Sequence, residues 1–117
     1  MSTGILAPAT LTLTIAGAAN ATTGVVSMAM PFAGKITSAY LACTTAPVGS
    51  ALTADLKVGS DVAAAFSIAA SGTSATGTLT AANCDFAQGD LVTLDVSAVG
   101  SSTAGSNLVA SFIVTQV

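Results

Sequence analysis

The sequence predicts an all-β sandwich of short antiparallel strands, and three observations carry that prediction. Apolar and polar residues alternate in several brief stretches, most clearly TLTLTI at residues 10–15 and LVTLDVSA at residues 91–98. A period of two sends successive side chains to opposite faces, so one face meets a core and the other meets water. Turn formers interrupt the chain about every eight to twelve residues, the rhythm of a sandwich or barrel. The third observation is negative. Of the 117 residues 52% are apolar and mean hydropathy is +0.84, yet Thr, Ser or Gly breaks every apolar run. None approaches the roughly 18 residues that a membrane-spanning helix needs.

Residues 1–8 lack periodicity and read as a loose leader. In TLTLTI, Leu11, Leu13 and Ile15 share one face and Thr10, Thr12 and Thr14 the other. Residues 17–24 are a loop of Ala, Asn, Thr and Gly, which closes an N-terminal arm at residues 1–24 ahead of a sandwich domain at residues 25–117. Residues 25–30 form a short strand stopped by Pro31, and Pro31 to Gly34 form a turn. The strand at residues 35–45 places Ile36, Tyr40 and Ala42 on one side and Ala39, Leu41 and Cys43 on the other. Two apolar sides imply that something beyond its own core covers this strand. After a turn at residues 47–50, Leu52, Ala54, Leu56 and Val58 alternate with Thr53, Asp55 and Lys57. The alanines of residues 61–66 favour a helix, but the run is too short to stand alone, so residues 62–69 read as strand. Residues 76–81 make a short strand, and residues 83–89 a loop carrying Cys84, Asp85 and Phe86.

The last two strands, residues 91–98 and 107–117, are joined by a Gly, Ser and Thr loop and read as an antiparallel hairpin. In the first, Val92, Leu94, Val96 and Ala98 oppose Leu91, Thr93, Asp95 and Ser97. Eight strands in about a hundred residues suit an eight-stranded antiparallel jelly roll, two packed sheets with Greek-key connections. An immunoglobulin-like sandwich fits less well, because Trp is absent and Cys43 and Cys84 are poorly spaced for its inter-sheet pair.

Composition limits the chemistry. Only 6% of residues are charged, against roughly 25% in an ordinary soluble domain. An exterior so poor in charge protects weakly against sticking to other chains, so an oligomer or a place in a larger assembly is expected. Two lysines, no arginine and a net charge of -3 argue against nucleic acid as partner. The absence of histidine excludes Ser-His-Asp and Cys-His nucleophiles. Lys35 follows a turn and Lys57 sits on a wet face, so neither serves a Ser–Lys dyad. Asp61, Asp85 and Asp90 fall in turns; calcium is one reading, and turn formers that bond nearby backbone N–H groups is the simpler one. Cys43 and Cys84 read as reduced, partly buried thiols, with a disulfide as the alternative. Phe32, Phe66, Phe86 and Phe112 read as core anchors. Ala19-Asn20-Ala21 looks like a cleavage site, but no Lys or Arg precedes Lys35, so no secretory segment is expected. Neither an enzyme, a cofactor nor a metal is expected.

From Gly34 to Val117 the chain resembles the small jelly-roll proteins that decorate or cement tailed-bacteriophage capsids. The likeness lies in GKITSAYLA, APVGSALTADLKVG, FAQGDLVTLDV and VGSSTAGSNLVASFIV. It implies a virion structural protein on the capsid exterior, a homotrimer, with the major capsid protein as partner. It also implies that the arm does the gripping, through Ile5, Leu6, Leu11, Leu13 and Ile15, and it supplies no catalytic residues. Two other readings stand beside it: a fibre or knob domain that binds a host glycan through residues 70–74 and 101–106, and a surface-layer or pilus-like subunit.

Overall fold

A computed structural model of the chain describes residues 9–18 and 22–116. Ten strands occur there: β1 (Ala9–Ala18), β2 (Thr22–Ala29), β3 (Gly34–Ala42), β4 (Leu52–Val58), β5 (Asp61–Ile68), β6 (Ser74–Thr76), β7 (Thr78–Leu79), β8 (Asp85–Phe86), β9 (Leu91–Val99) and β10 (Ser106–Gln116). One turn of 3-10 helix, Ala81–Asn83, precedes β8. The strands form two sheets. Sheet A has the order β1-β10-β3-β6, with β8 also on β3, and sheet B has the order β2-β9-β4-β5-β7.

Every pairing is antiparallel; one set is nested, β1 with β10, β2 with β9, β3 with β8 and β6, β4 with β5, and the pairs β3 with β10, β4 with β9 and β5 with β7 complete the sheets. The chain therefore behaves as one long hairpin folded over on itself. The inner faces meet in a single core, in which Leu41, Leu52, Leu56, Ile68, Leu94, Leu108 and Phe112 are fully enclosed. Phe66 and Phe86 are buried with them, and Phe32 is half-buried with its ring tilted against Phe86 at 6.1 Å. Four phenylalanines thus anchor the core, as the sequence suggests. The alanine-rich residues 61–68 are strand β5, because burial of Ala63, Ala64, Phe66 and Ile68 outweighs alanine's helix preference.

The expected hairpin of the last two strands does not form. β9 lies in sheet B between β2 and β4, and β10 lies in sheet A between β1 and β3. The loop between them is an arch from one sheet to the other. Gly100 starts it at φ +110°, and a Cβ there would collide with the Thr103 carbonyl, so only glycine fits. Val48 N–H donates to Thr103 O at 3.0 Å and Ser102 N–H to Val48 O at 2.8 Å, which binds the arch to the preceding loop. The expected strand at residues 76–81 is likewise shared, with β6 in sheet A and β7 in sheet B. Gly77 makes the switch; a Cβ there would stand 2.8 Å from the Phe66 ring and 3.1 Å from Ala39.

Five ladders shift register among the described residues, and three of the shifts, on β3, β9 and β5, insert one extra residue that resets which side chains face the core. On β3, Ser38 pairs with Ile113 but Ile36 with Val114, so Thr37 is the extra residue. Ile36 is therefore buried together with Ala39 and Leu41, while Tyr40 and Ala42 face out. Of the two expected sides, only the place of Ile36 changes: the bulge moves it to the core side, and Tyr40 and Ala42 remain the outward apolar residues. On β9, Ser97 is extra, so Ala98 faces out and Val99 packs toward the core in its place. On β5 the extra residue is Ala63. A bulge leaves backbone groups without ladder partners, and here side chains supply them. Thr37 Oγ1 donates to Ile113 O at 3.2 Å, Ser97 Oγ to Thr53 O at 3.2 Å, and Asn83 Nδ2 to Val62 O at 2.9 Å.

Candidate functional site

No group of three or more His, Cys, Asp or Glu side chains converges as a metal site among the described residues. Asp90 Oδ2 accepts from Ala87 N–H at 2.8 Å and so holds its own turn. Asp85 sits in β8 across from Lys35, and Asp61 begins β5. Cys43 and Cys84 are free and buried, as the simpler reading has it. Cys84 Sγ donates to Thr80 O at 3.3 Å, and Cys43 Sγ lies 3.9 Å from Gly72 O. Burial pushes both thiols above the ordinary range, with Asp85 adding to the rise at Cys84 and Lys35 opposing it. Protonated and enclosed thiols are poor nucleophiles.

What remains is surface, and the two sheets present different ones. Across the outer face of sheet A, Thr10, Thr12 and Thr14 of β1 stand opposite Ile113, Ser111 and Val109 of β10. Ser111 in turn pairs with Tyr40, and Val109 with Ala42. Tyr40 is 45% exposed and Val109 36%, large apolar side chains in a field of hydroxyls. Lys35 and Asp85 face each other at one end of this sheet; the rest of the outer face among the described residues is neutral. Such a face offers shape, methyl groups and hydroxyls, but no charge to hold a hydration shell.

Sheet B carries the ionic chemistry. Asp55 and Asp95 pair directly across β4 and β9, and Lys57 follows two residues along on the same side. Lys57 Nζ meets Asp95 Oδ2 at 2.7 Å. The hydrogen bond to Asp95, then its charge, and last the charge of Asp55 hold the Lys57 ammonium above its ordinary range, against a small opposing effect of desolvation. Asp95 and the neighbouring Thr93 are buried although they lie on the outward side of the sheet. Beside them Thr53 and Ser97 hydroxyls meet at 2.7 Å. On this face Lys57, Asp95, Thr53 and Ser97 thus find partners within the sheet.

Residues of the arm expected to grip a partner divide. Ile5 and Leu6 lie outside the described residues. Leu11, Leu13 and Ile15 sit in β1, a full member of sheet A, on the side turned to the core. Leu13 is buried there; Leu11 and Ile15 are half-buried at the sheet's margin. Alternation finds the face of such residues but not the sheet that receives it.

The loops at one end also gather. Ser71 N–H donates to Pro47 O at 2.7 Å, and the arch at residues 100–105 joins them, making a neutral, hydroxyl-rich tip.

Compared with known protein families and with curated proteins, the chain matches none.

Proposed function

We propose that this protein is a non-enzymatic structural component that decorates and stabilises the exterior of a tailed-phage capsid. By the likeness drawn above it does so as a homotrimer on the major capsid protein. The observation that carries the reading is the neutral outer face of sheet A, with Tyr40 and Val109 exposed among threonines. Depletion of charge with an aromatic at the centre is the composition of an interface core. The strand orders β1-β10-β3-β6 and β2-β9-β4-β5 support the finer fold reading, a jelly roll, since a long hairpin rolled into two sheets produces that nesting. β6 to β8 are then fragments of one strand of that plan. A protein that binds only the assembled shell stabilises it by mass action. Purified particles are expected to carry the chain in stoichiometric amount and to burst at lower temperature once stripped of it. An unchanged bursting temperature defeats the proposal.

The neutral tip formed by residues 46–50, 70–73 and 100–105 favours a second reading, a fibre or knob domain that binds a host glycan. Reproducible glycan-array binding, lost when residues 100–105 are replaced, supports it over the first.

A further inference from the structure

Sheet A ends in an edge that no other strand covers among the described residues. β1 is paired with β10 along one side, and its opposite side has no strand partner there. An open edge presents a row of backbone N–H and C=O groups ready to pair, and proteins usually blunt it by shortness, bulges, proline or charge. The other sheet margins follow that practice. β6 and β7 have three and two residues, and the pairing of β2 is broken between Thr22 and Val26. β1 carries one such device near its end, a register shift between Ile15 and Ala18, and none before it. It has ten residues, an unbroken register from Ala9 to Ile15, and neither proline nor charge. Leu11 and Ile15 remain half-exposed on its core-facing side, where one more strand would cover them.

We infer that two copies of this chain pair through β1, edge to edge and antiparallel, so that their A sheets become one continuous sheet. The occupant follows from the sequence of the edge. Thr10-Leu11-Thr12-Leu13-Thr14 reads the same in both directions. Antiparallel pairing centred on Thr12 sets Thr12 against its own counterpart, Thr10 against the counterpart of Thr14, and Leu11 against that of Leu13. Threonine pairs then line the outer face and leucine pairs extend the core side, both favourable cross-strand combinations. A partner of another sequence would have to supply this alternation; a second copy brings it. With no charge in β1, nothing repels the approach. The contact is isologous and closes at two copies. It uses the edge, not the outer face of sheet A, and so does not depend on the decorating role. Trimers held by other surfaces would be joined in pairs.

Native mass measurement of the full chain, with site-specific disulfide trapping, tests this. At micromolar concentration the protein is expected in even numbers of copies. Thr12→Lys puts like charges opposite each other at the two-fold axis and is expected to halve the mass. Thr12→Cys brings two thiols within about 4.5–5.5 Å of each other at Cβ and yields a covalent dimer on mild oxidation. Thr10→Cys does not, because its counterpart lies four residues along, about 13 Å away. A lone monomer, an odd assembly, or equal cross-linking by Thr10→Cys overturns the pairing. Should Thr12→Lys fail to fold, the two cysteine variants decide alone.

Discussion

Sheet A turns Thr12, Tyr40 and Val109 outward with no ion pair among them, whereas sheet B turns Asp55, Lys57 and Asp95 outward, with Lys57 and Asp95 joined at 2.7 Å. Both faces are one side of an alternating strand pattern whose other side meets the shared core. The difference lies in where polar groups find partners. On sheet B the Asp95 carboxylate pairs with the Lys57 ammonium and the Thr53 hydroxyl with that of Ser97, so the face contributes to the fold. On sheet A the outer side chains are mainly hydroxyls and methyls that contribute little to the fold and remain available to a neighbour. A chain with only seven formal charges has concentrated three of them in one network.

Substitutions separate these roles. The largest effect belongs to neither face: Phe112→Ala, at the fully buried centre of β10, is expected to destabilise by about 3–5 kcal/mol in denaturant unfolding. It removes the support common to both sheets, and with it every surface property. Next comes sheet B, where Asp95→Asn breaks the ion pair with Lys57. The melting temperature is expected to fall at low salt, with a smaller difference from wild type in molar salt, and oligomer mass is expected to be unchanged. A loss of oligomer there would break the comparison.

The alkaline limb of stability sharpens it further. The folded state holds protons on both cysteine thiols above their ordinary value of 9.0 and on Lys57 above 10.5. Above those values the native state binds more protons than the unfolded chain, so stability falls as pH rises. It is fully present below about pH 9, declines first through the thiols, and declines further above pH 10.5. Lys57→Met is expected to remove the upper part of that decline in pH-dependent melts. The smallest effect on stability is expected at sheet A: Tyr40→Ser should change unfolding free energy by less than about 0.5 kcal/mol. Its effect should appear instead as weaker attachment to particles in co-sedimentation. Unaltered attachment would remove Tyr40 from the interface.

Much of the fold was legible where a strand keeps its period. Leu52, Ala54, Leu56 and Val58 face the core, and Thr53, Asp55 and Lys57 face out, as alternation requires. The pattern misled where a bulge intervened. Thr37 and Ser97 are ordinary strand residues by type, and only the hydroxyl bonds to Ile113 O and Thr53 O reveal that each is an extra residue. Of the candidate surfaces, the ionic network was half legible. Asp55 and Lys57 are neighbours in sequence, but Asp95 arrives from a strand 38 positions beyond Lys57.

By itself the sequence determined where the longer strands lie, though not the short β8 inside the expected loop at residues 83–89 or the strand ends inside the expected loop at residues 17–24. It also determined that the core is built from phenylalanines and aliphatic side chains and that histidine-dependent chemistry is absent. Those properties are local, written in the period and the residue types. The tertiary structure alone decided that β9 and β10 part into different sheets, that Gly77 divides one stretch between both, and that β1 ends sheet A with no further strand beside it among the described residues. Alternation tells a strand which face to bury. The choice of neighbour depends on closing backbone hydrogen bonds and the core together across the whole chain, which no single segment encodes.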